Sequence, residues 1–265
     1  LLRQHRHELE QYYGHHFNSD IKRAISAMLR CKTEKQGLSQ WYCSHCQHDD
    51  RLTLSCGNRH SPQCQHRTTS DWLKRQKSKL LPVRYYMVTF TLPYELRSLA
   101  RSAPRVLYQT MFRVASSTLK DFAHRHTQGE LGFTIVHHTH SRQRELHPHL
   151  HVIVAGGQYD AKRHQWFKGK KNYLFNEFAL AKVWRARMLE SINQTIPAVL
   201  PRDVPSKWVV DCRCVGYGLP ALQYLSRYLY RGVLPDKDIK SVTENEVTFE
   251  YVDGKTKQRR CEHYL

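Results

Sequence analysis

The sequence predicts an α+β protein in which a split βαβ antiparallel sheet, with helices on one face, follows a small cysteine-rich helical and loop module. Three observations carry this. From Val83 onward, apolar runs of strand and helix periodicity come in the order strand, helix, strand, strand, helix, strand. Five of the eight Cys (Cys31, Cys43, Cys46, Cys56 and Cys64) crowd into the first quarter of the 265 residues, where apolar periodicity is lost. His149 to Ala155 is the most apolar strand in the chain, stopped by the pair Gly156-Gly157.

Taken in order, residues 1–30 read as a helical segment, because Ile21, Ala24, Ile25, Met28 and Leu29 recur at helical spacing after a cap at Ser19 or Asp20. Residues 31–66 form the Cys/His module, and 67–82 a basic linker helix carrying Lys74, Arg75 and Lys77. The remaining 83–265 form one larger domain. Tyr85 to Leu92 is a strand ended by Pro93, and Pro104 opens a helix to about His126 with Leu107, Met111, Val114 and Leu119 inward. Strands at Leu131–His138 and His149–Ala155 flank a polar, His-rich loop. A helix at Asn176–Asn193, a strand at Lys207–Val215 and a helix at Pro220–Arg231 follow. The chain closes on a hairpin, 246–251 and 257–264, turned at Asp253-Gly254.

The chain has 42 Lys and Arg against 23 Asp and Glu, a formal net charge of +19 spread along its length. Such a charge calls for a polyanion, and nucleic acid fits better than a membrane surface because no basic amphipathic helix stands out. No stretch reaches the roughly 18 apolar residues of a helical membrane span. The chain opens on Leu1-Leu2 with neither Met nor a signal peptide, so its own start is expected to be missing.

Side chains alternate along a strand, so His149 and His151 point the same way and Leu150 the other. Two adjacent imidazoles are a ready ligand pair for a divalent ion. His147 shares their parity but precedes Pro148, where strand geometry is less regular. A His-x-His is common in a chain with 18 His, and most such pairs are merely packed; attachment to the most apolar strand raises this one above that background.

In the module, Cys43-Ser44-His45-Cys46 is a C-x2-C knuckle, and Cys56 and Cys64 follow ten and eighteen residues beyond Cys46. That spacing suits a structural Zn²⁺ held by Cys43, Cys46, Cys56 and Cys64, with His60 and Cys31 as alternates. Without a metal the stretch has too few apolar side chains to fold. On the helix at 220–231, Tyr224 and Tyr228 share a face with Arg231, while Leu222, Leu225 and Leu229 form a separate apolar face. Tyrosines at this spacing usually pack a core. Flanked by Arg227 and Arg231, a phenol can instead attack a phosphodiester while guanidinium groups stabilise the developing charge.

These segments together resemble the two-tyrosine HUH transposases of rolling-circle insertion sequences, relatives of the Helitron transposases. The resemblance runs, in order, through Cys43-Ser44-His45-Cys46 with Ser55 to Cys64, Val88 to Pro93, His147 to His151 with Gly156-Gly157, and Tyr224 to Tyr228. It implies an HUH-endonuclease sheet behind a zinc-binding domain. It implies Mg²⁺ or Mn²⁺ on His149 and His151, with His138 favoured over His147 as third ligand. Tyr224 or Tyr228 would cut single-stranded or hairpin DNA at transposon ends, leaving a 5′-phosphotyrosine and a 3′-OH for transfer to target DNA. DNA contacts are expected at Arg227, Arg231, Lys74, Arg75 and Lys77, in the bacterial cytoplasm at the nucleoid. The family usually has Cys where this chain has Ser61, and relatives tend to run on past the terminal hairpin.

Rival chemistries fit less well. A metallo-β-lactamase-like site continues His-x-His-x-Asp-His, where this chain has Val152-Ile153-Val154. A two-histidine phosphoesterase needs two separated His-x-Thr/Ser tetrapeptides. The alternative from another class is a non-catalytic zinc-dependent DNA-binding protein whose tyrosines stack bases.

Overall fold

The computed structural model describes residues 2–14, 17–58, 60–124, 129–141, 145–169, 174–196, 200–201, 203–229, 238–252, 256 and 258–264. The chain divides into two compact units, 72–229 and 1–71 with 230–265.

The unit 72–229 is a four-stranded antiparallel sheet. Its strands are β3 (Tyr85–Thr91), β4 (Phe133–His140), β5 (Leu146–Ala155) and β8 (Val210–Cys214), in the order β4-β5-β3-β8. The helices α5 (Pro104–His124) and α6 (Glu177–Thr195) cover one face, after a short α4 (Arg97–Ser102). Strand alternation delivers Val88, Phe90, Leu150, Val152 and Val154 to that face, where they meet Leu107, Met111 and Leu119 of α5 and Leu180, Trp184 and Met188 of α6. Each such side chain, fully buried, is worth about 1.5–3 kcal/mol against exposure. Trp184 also donates its indole N–H to the Thr91 carbonyl at 3.1 Å, fastening α6 to the end of β3. Asn176 caps α6 through its side chain, which accepts from the Ala179 N–H.

The expected helix layer is therefore α5 and α6. The opposite face carries a smaller apolar cluster of Tyr85, Val136, Ile153 and Ala155, onto which α7 (Leu219–Leu229) sets Ala221, Leu222 and Leu225. Trp72 and Leu73, near the end of α3 (Pro62–Lys77), pack on the same cluster. Gly218 permits the approach of α7. Its φ is +83°, and a Cβ there would lie 2.9 Å from the Tyr85 ring. A short hairpin, β6 (Gly157–Asp160) with β7 (Gln165–Lys168), follows β5 and is not foreshadowed by the sequence pattern.

The other unit holds α1 (Arg6–Tyr13), α2 (Ser19–Arg30) and two small sheets. The expected N-terminal helical segment is two helices, and the cap of the second is Asn18, whose side chain accepts from the N–H groups of Asp20 and Ile21. The module expected to be loop contains a hairpin, β1 (Leu38–Tyr42) with β2 (Asp49–Thr53). Its strands are exposed on both faces, so they lack the alternation by which a strand is recognised. The terminal hairpin, β10 (Val247–Val252) with β11 (Arg259–Tyr264), gains a third strand, β9 (Ile239–Val242). The proposed turn at Asp253-Gly254 lies outside the described residues.

Candidate active site

The sheet register builds the site. His149 of β5 lies opposite His138 of β4, and His151 lies opposite Val136 on β4 and Thr89 on β3. Pairing of this kind puts all these side chains on the face away from α5 and α6. The ring centroids of His138, His149 and His151 stand 4.7–5.1 Å apart, at steep mutual angles. One nitrogen from each lies within 4.8 Å of the other two, a spacing that one divalent ion can bridge. The expected trio of His138, His149 and His151 is thus the one that the sheet assembles.

Two of the three rings are oriented by partners at Nδ1. His149 Nδ1 donates to the His147 carbonyl at 2.7 Å, and a carbonyl can only accept, so its lone pair sits on Nε2. His151 Nδ1 is 3.0 Å from the Thr89 hydroxyl. This is how metal-ligating imidazoles are commonly held, with the second nitrogen spent on a fixed oxygen. Burial keeps all three neutral: it pushes His138 down to about 3, helped by the neighbouring His151, His149 and His137. It pushes His151 down to about 4, helped by His149. His149 is lowered by burial too, against a contrary effect of its bond to the His147 carbonyl. Neutral imidazole is the form that binds a metal, so the trio is ready at physiological pH.

His147 has a different environment. Its Nδ1 lies 2.9 Å from an Arg97 guanidinium N–H donor, and Arg97 also reaches Glu145 at 3.4 Å and stacks over Tyr94. Accepting that bond puts the proton of a neutral His147 on Nε2. Arg97 and Thr89 were not singled out by the sequence. Thr89 is legible in retrospect from the alternation Val88-Thr89-Phe90-Thr91, which places it on the polar face of its strand. Arg97 has no such signal, since it arrives from a helix 50 residues before His147.

Tyr224 stands over this face. Its ring lies 6.4 Å from the His151 ring, nearly perpendicular to it, and is half-buried against the cluster that anchors α7. Tyr228 lies one turn further along the same helix. The side chains of Tyr228 and Arg227, and Arg231 altogether, lie outside the described residues. On α3, Trp72 and Leu73 point inward and Gln76 accepts a hydrogen bond from Thr134. Lys74, Arg75 and Lys77 are exposed on the same helix.

The cysteine module departs from the expected ligand set. Cys31, Cys56 and Cys64 come together, with thiol sulfurs of Cys31 and Cys64 at 3.4 Å and of Cys56 and Cys64 at 3.6 Å. Cys43 and Cys46 are exposed in the β1–β2 turn, which closes through the Cys43 N–H to the His48 carbonyl, and His60 is not in the thiol group. The hairpin explains this. Its two strands carry Cys43 and Cys46 to the tip, while the Lys32 N–H bonds the Leu54 carbonyl at its base and so brings Cys56 to Cys31. Burial alone would raise the Cys64 thiol, but hydrogen bonds from Ser61, Cys31, the Gly57 backbone and Cys56 bring it to about 6. A thiol so close to ionisation suits a cation.

The sheet thus sets a histidine trio beneath a tyrosine-bearing helix, and comparison with known proteins places the chain within one family. Residues 132–264 match a family model described as "Putative transposase", the two-tyrosine (Y2) type, and the chain belongs to that family. Residues 1–92 match the transposase zinc-binding domain of the IS91 type. Among curated relatives, "Putative transposase y4qJ" of Sinorhizobium fredii is 27% identical over 92% of this chain and 68% of its own. The transposase for insertion sequence element IS801 of Pseudomonas savastanoi pv. phaseolicola is 30% identical over 60% of this chain and 38% of its own. A solved structure of the conjugative relaxase TrwC in complex with oriT DNA aligns over 46% of this chain and 49% of its own, with 17% identity and a TM-score of 0.36. The family resemblance seen in the sequence is borne out. Among the described residues, no helix is long and apolar enough to cross a membrane.

Proposed function

We propose that the chain is a rolling-circle transposase that nicks single-stranded DNA at transposon ends and transfers the strand through a 5′-phosphotyrosine. The observation that carries this is the placement of Tyr224, 6.4 Å ring to ring from His151, above three neutral imidazoles on one sheet face. The transposase relatives support the same reading.

His138, His149 and His151 would hold a divalent ion, Mg²⁺ or Mn²⁺, whose chemistry there is to draw charge from a phosphate oxygen and so make the phosphorus a better electrophile. The Nδ1 partners of His149 and His151, the His147 carbonyl and Thr89, keep those two ring planes from turning. The Tyr224 phenol oxygen forms a bond to phosphorus as the bond from phosphorus to the 3′ oxygen breaks. The phenol gives up its proton and the departing 3′ oxygen gains one, so the step consumes no cofactor and no water. The phosphodiester energy is stored in the tyrosine ester and returned when a 3′-OH of the target strand attacks it. Tyr228, one turn along α7, is the second nucleophile, which allows a second strand to be cut while the first remains attached. Lys74, Arg75, Lys77, Arg227 and Arg231 contribute positive charge for the backbone of end and target DNA. Such a protein works in the bacterial cytoplasm, at the nucleoid.

The test incubates the purified chain with labelled single-stranded DNA from the ends of the element that encodes it, with Mg²⁺ or Mn²⁺, and separates products on a denaturing gel. A covalent protein–DNA band is expected, and it disappears in the Tyr224→Phe/Tyr228→Phe double variant. Salt-sensitive binding with no adduct would instead favour a non-catalytic zinc-dependent DNA-binding protein.

A further inference from the structure

The thiol group of Cys31, Cys56 and Cys64 has a fourth member that is not a thiol. Ser61 is 3% exposed, although serine is usually a surface residue. Its hydroxyl donates to the Cys31 sulfur at 3.9 Å, and it lies close enough to the Cys56 and Cys64 thiols to favour the ionised form of both. The backbone aims it there. The Ser61 N–H bonds the Asn58 carbonyl, and the Ser61 carbonyl accepts from the Cys64 N–H at the start of α3. One oxygen thus faces three sulfurs in a half-buried site that no other described His, Cys, Asp or Glu completes.

A structural zinc ion takes four ligands in a tetrahedron, and three sulfurs supply only three corners. We propose that Cys31, Cys56 and Cys64 form a three-thiolate metal site whose fourth corner is the Ser61 hydroxyl, which holds zinc more loosely than four thiolates do. The inference rests on reading this module as zinc-binding and adds which atoms bind. An alcohol oxygen is a weaker partner than a thiolate for a borderline-soft ion. It also leaves the complex with one negative charge where four thiolates would give two. The fourth corner is therefore the place where the ion is most easily displaced. Losing an outer-shell partner alone costs about 10–100-fold in metal affinity, so exchange of the oxygen for a thiolate is expected to tighten zinc by at least about tenfold.

Cobalt(II) substitution reads the ligands directly. Sulfur-to-cobalt charge-transfer absorption per bound ion scales with the number of thiolates, and the visible bands report the whole ligand set. The full chain carrying Cys43→Ser and Cys46→Ser is loaded with Co²⁺ and compared with the same chain carrying Ser61→Cys or Ser61→Ala in addition. The expected result is a three-thiolate spectrum that gains charge-transfer intensity with Ser61→Cys. Ser61→Ala keeps that intensity while the visible bands shift and zinc is lost sooner to a chromophoric chelator. A Ser61→Cys spectrum no more intense than its parent overturns the proposal, as do visible bands that Ser61→Ala leaves unmoved. If the unsubstituted chain shows more thiolates than the Cys43/Cys46 variant in the same single ion's spectrum, a hairpin cysteine closes the site; the inference then falls while the zinc-binding reading stands. If none of these proteins binds Co²⁺ or Zn²⁺, both fall together.

Discussion

Thr89 on β3 and His151 on β5 are register partners, and the Thr89 hydroxyl meets His151 Nδ1 at 3.0 Å. The bond ties a central strand to the imidazole whose ring stands 6.4 Å from that of Tyr224, and it leaves Nε2 as that ring's other nitrogen. Thr89→Val keeps the branched shape and removes the oxygen. It should weaken Mn²⁺ binding by about 10–100-fold, in line with other outer-shell losses. Calorimetric titration of Mn²⁺ into both proteins checks this, and an unchanged affinity would show that the ring is held by packing alone.

The two tyrosines should act as a pair. Tyr224→Phe keeps the ring against the sheet cluster and removes only the phenol oxygen, so folding and DNA affinity should stay close to those of the parent. A single substitution is expected to stop one of the two cleavages, and the double substitution to stop both. Sequencing the DNA trapped on each single variant identifies which strand each tyrosine takes. Full adduct yield from the double variant would remove α7 from the chemistry.

Acid should destabilise the metal-free protein. Burial first, then neighbouring imidazoles, hold His138 and His151 at about 3 and 4, below the ordinary 6.5 of an unfolded chain. Between those values the unfolded state binds more protons than the folded one, so stability falls as pH drops below about 6.5 and recovers as it rises. Urea midpoints measured across that window, without added metal, should climb with pH. The His138→Gln/His151→Gln variant should lose much of the slope, and an identical slope in that variant would assign the effect elsewhere.

Gly218 should not tolerate a side chain. At φ +83° and with the Tyr85 ring 2.9 Å from a would-be Cβ, Gly218→Ala pushes the start of α7 away from Tyr85 or strains the turn. Backbone strain of this kind costs about 1–3 kcal/mol. A chemical denaturation curve measures the loss, and a fall in adduct yield larger than the fall in folded fraction would show displacement of Tyr224.

Lys74, Arg75 and Lys77 stand exposed on a helix whose other side is fastened to the sheet by Trp72 and Leu73. Replacing the three by Ala should weaken single-stranded DNA binding without base preference. The slope of log affinity against log salt should become shallower by up to about 2, at about 0.7 for each phosphate no longer neutralised. An unchanged slope would place the DNA path elsewhere.

Much of the unit 72–229 is legible without coordinates, because strand and helix periods are local. His149 and His151 share a face by the geometry of one strand, and Tyr224 and Tyr228 by the pitch of one helix. The apolar positions of α5, α6 and α7 follow from spacing alone, which is why β3, β5 and those helices appear close to where periodicity puts them. His138 needed more. Its parity makes it eligible, but only the pairing of β4 with β5 sets it opposite His149.

Which cysteines come together in the module depends on tertiary structure. Spacing favours Cys43 and Cys46, since two cysteines so close in sequence form a knuckle in any loop. Pairing of Leu38 with Thr53 and of Tyr42 with Asp49 sends that knuckle to a hairpin tip and returns the chain at the base, where Cys31 waits. Which cysteines meet depends on how the intervening hairpin registers, a long-range fact that no local spacing contains. The same holds for Thr89 against His151, for Arg97 against His147 and for Ser61 among the thiols. Local spacing sets the residue types and the strand and helix faces that bear them; strand register and helix docking set which of those groups touch, because both depend on contacts far apart in the chain.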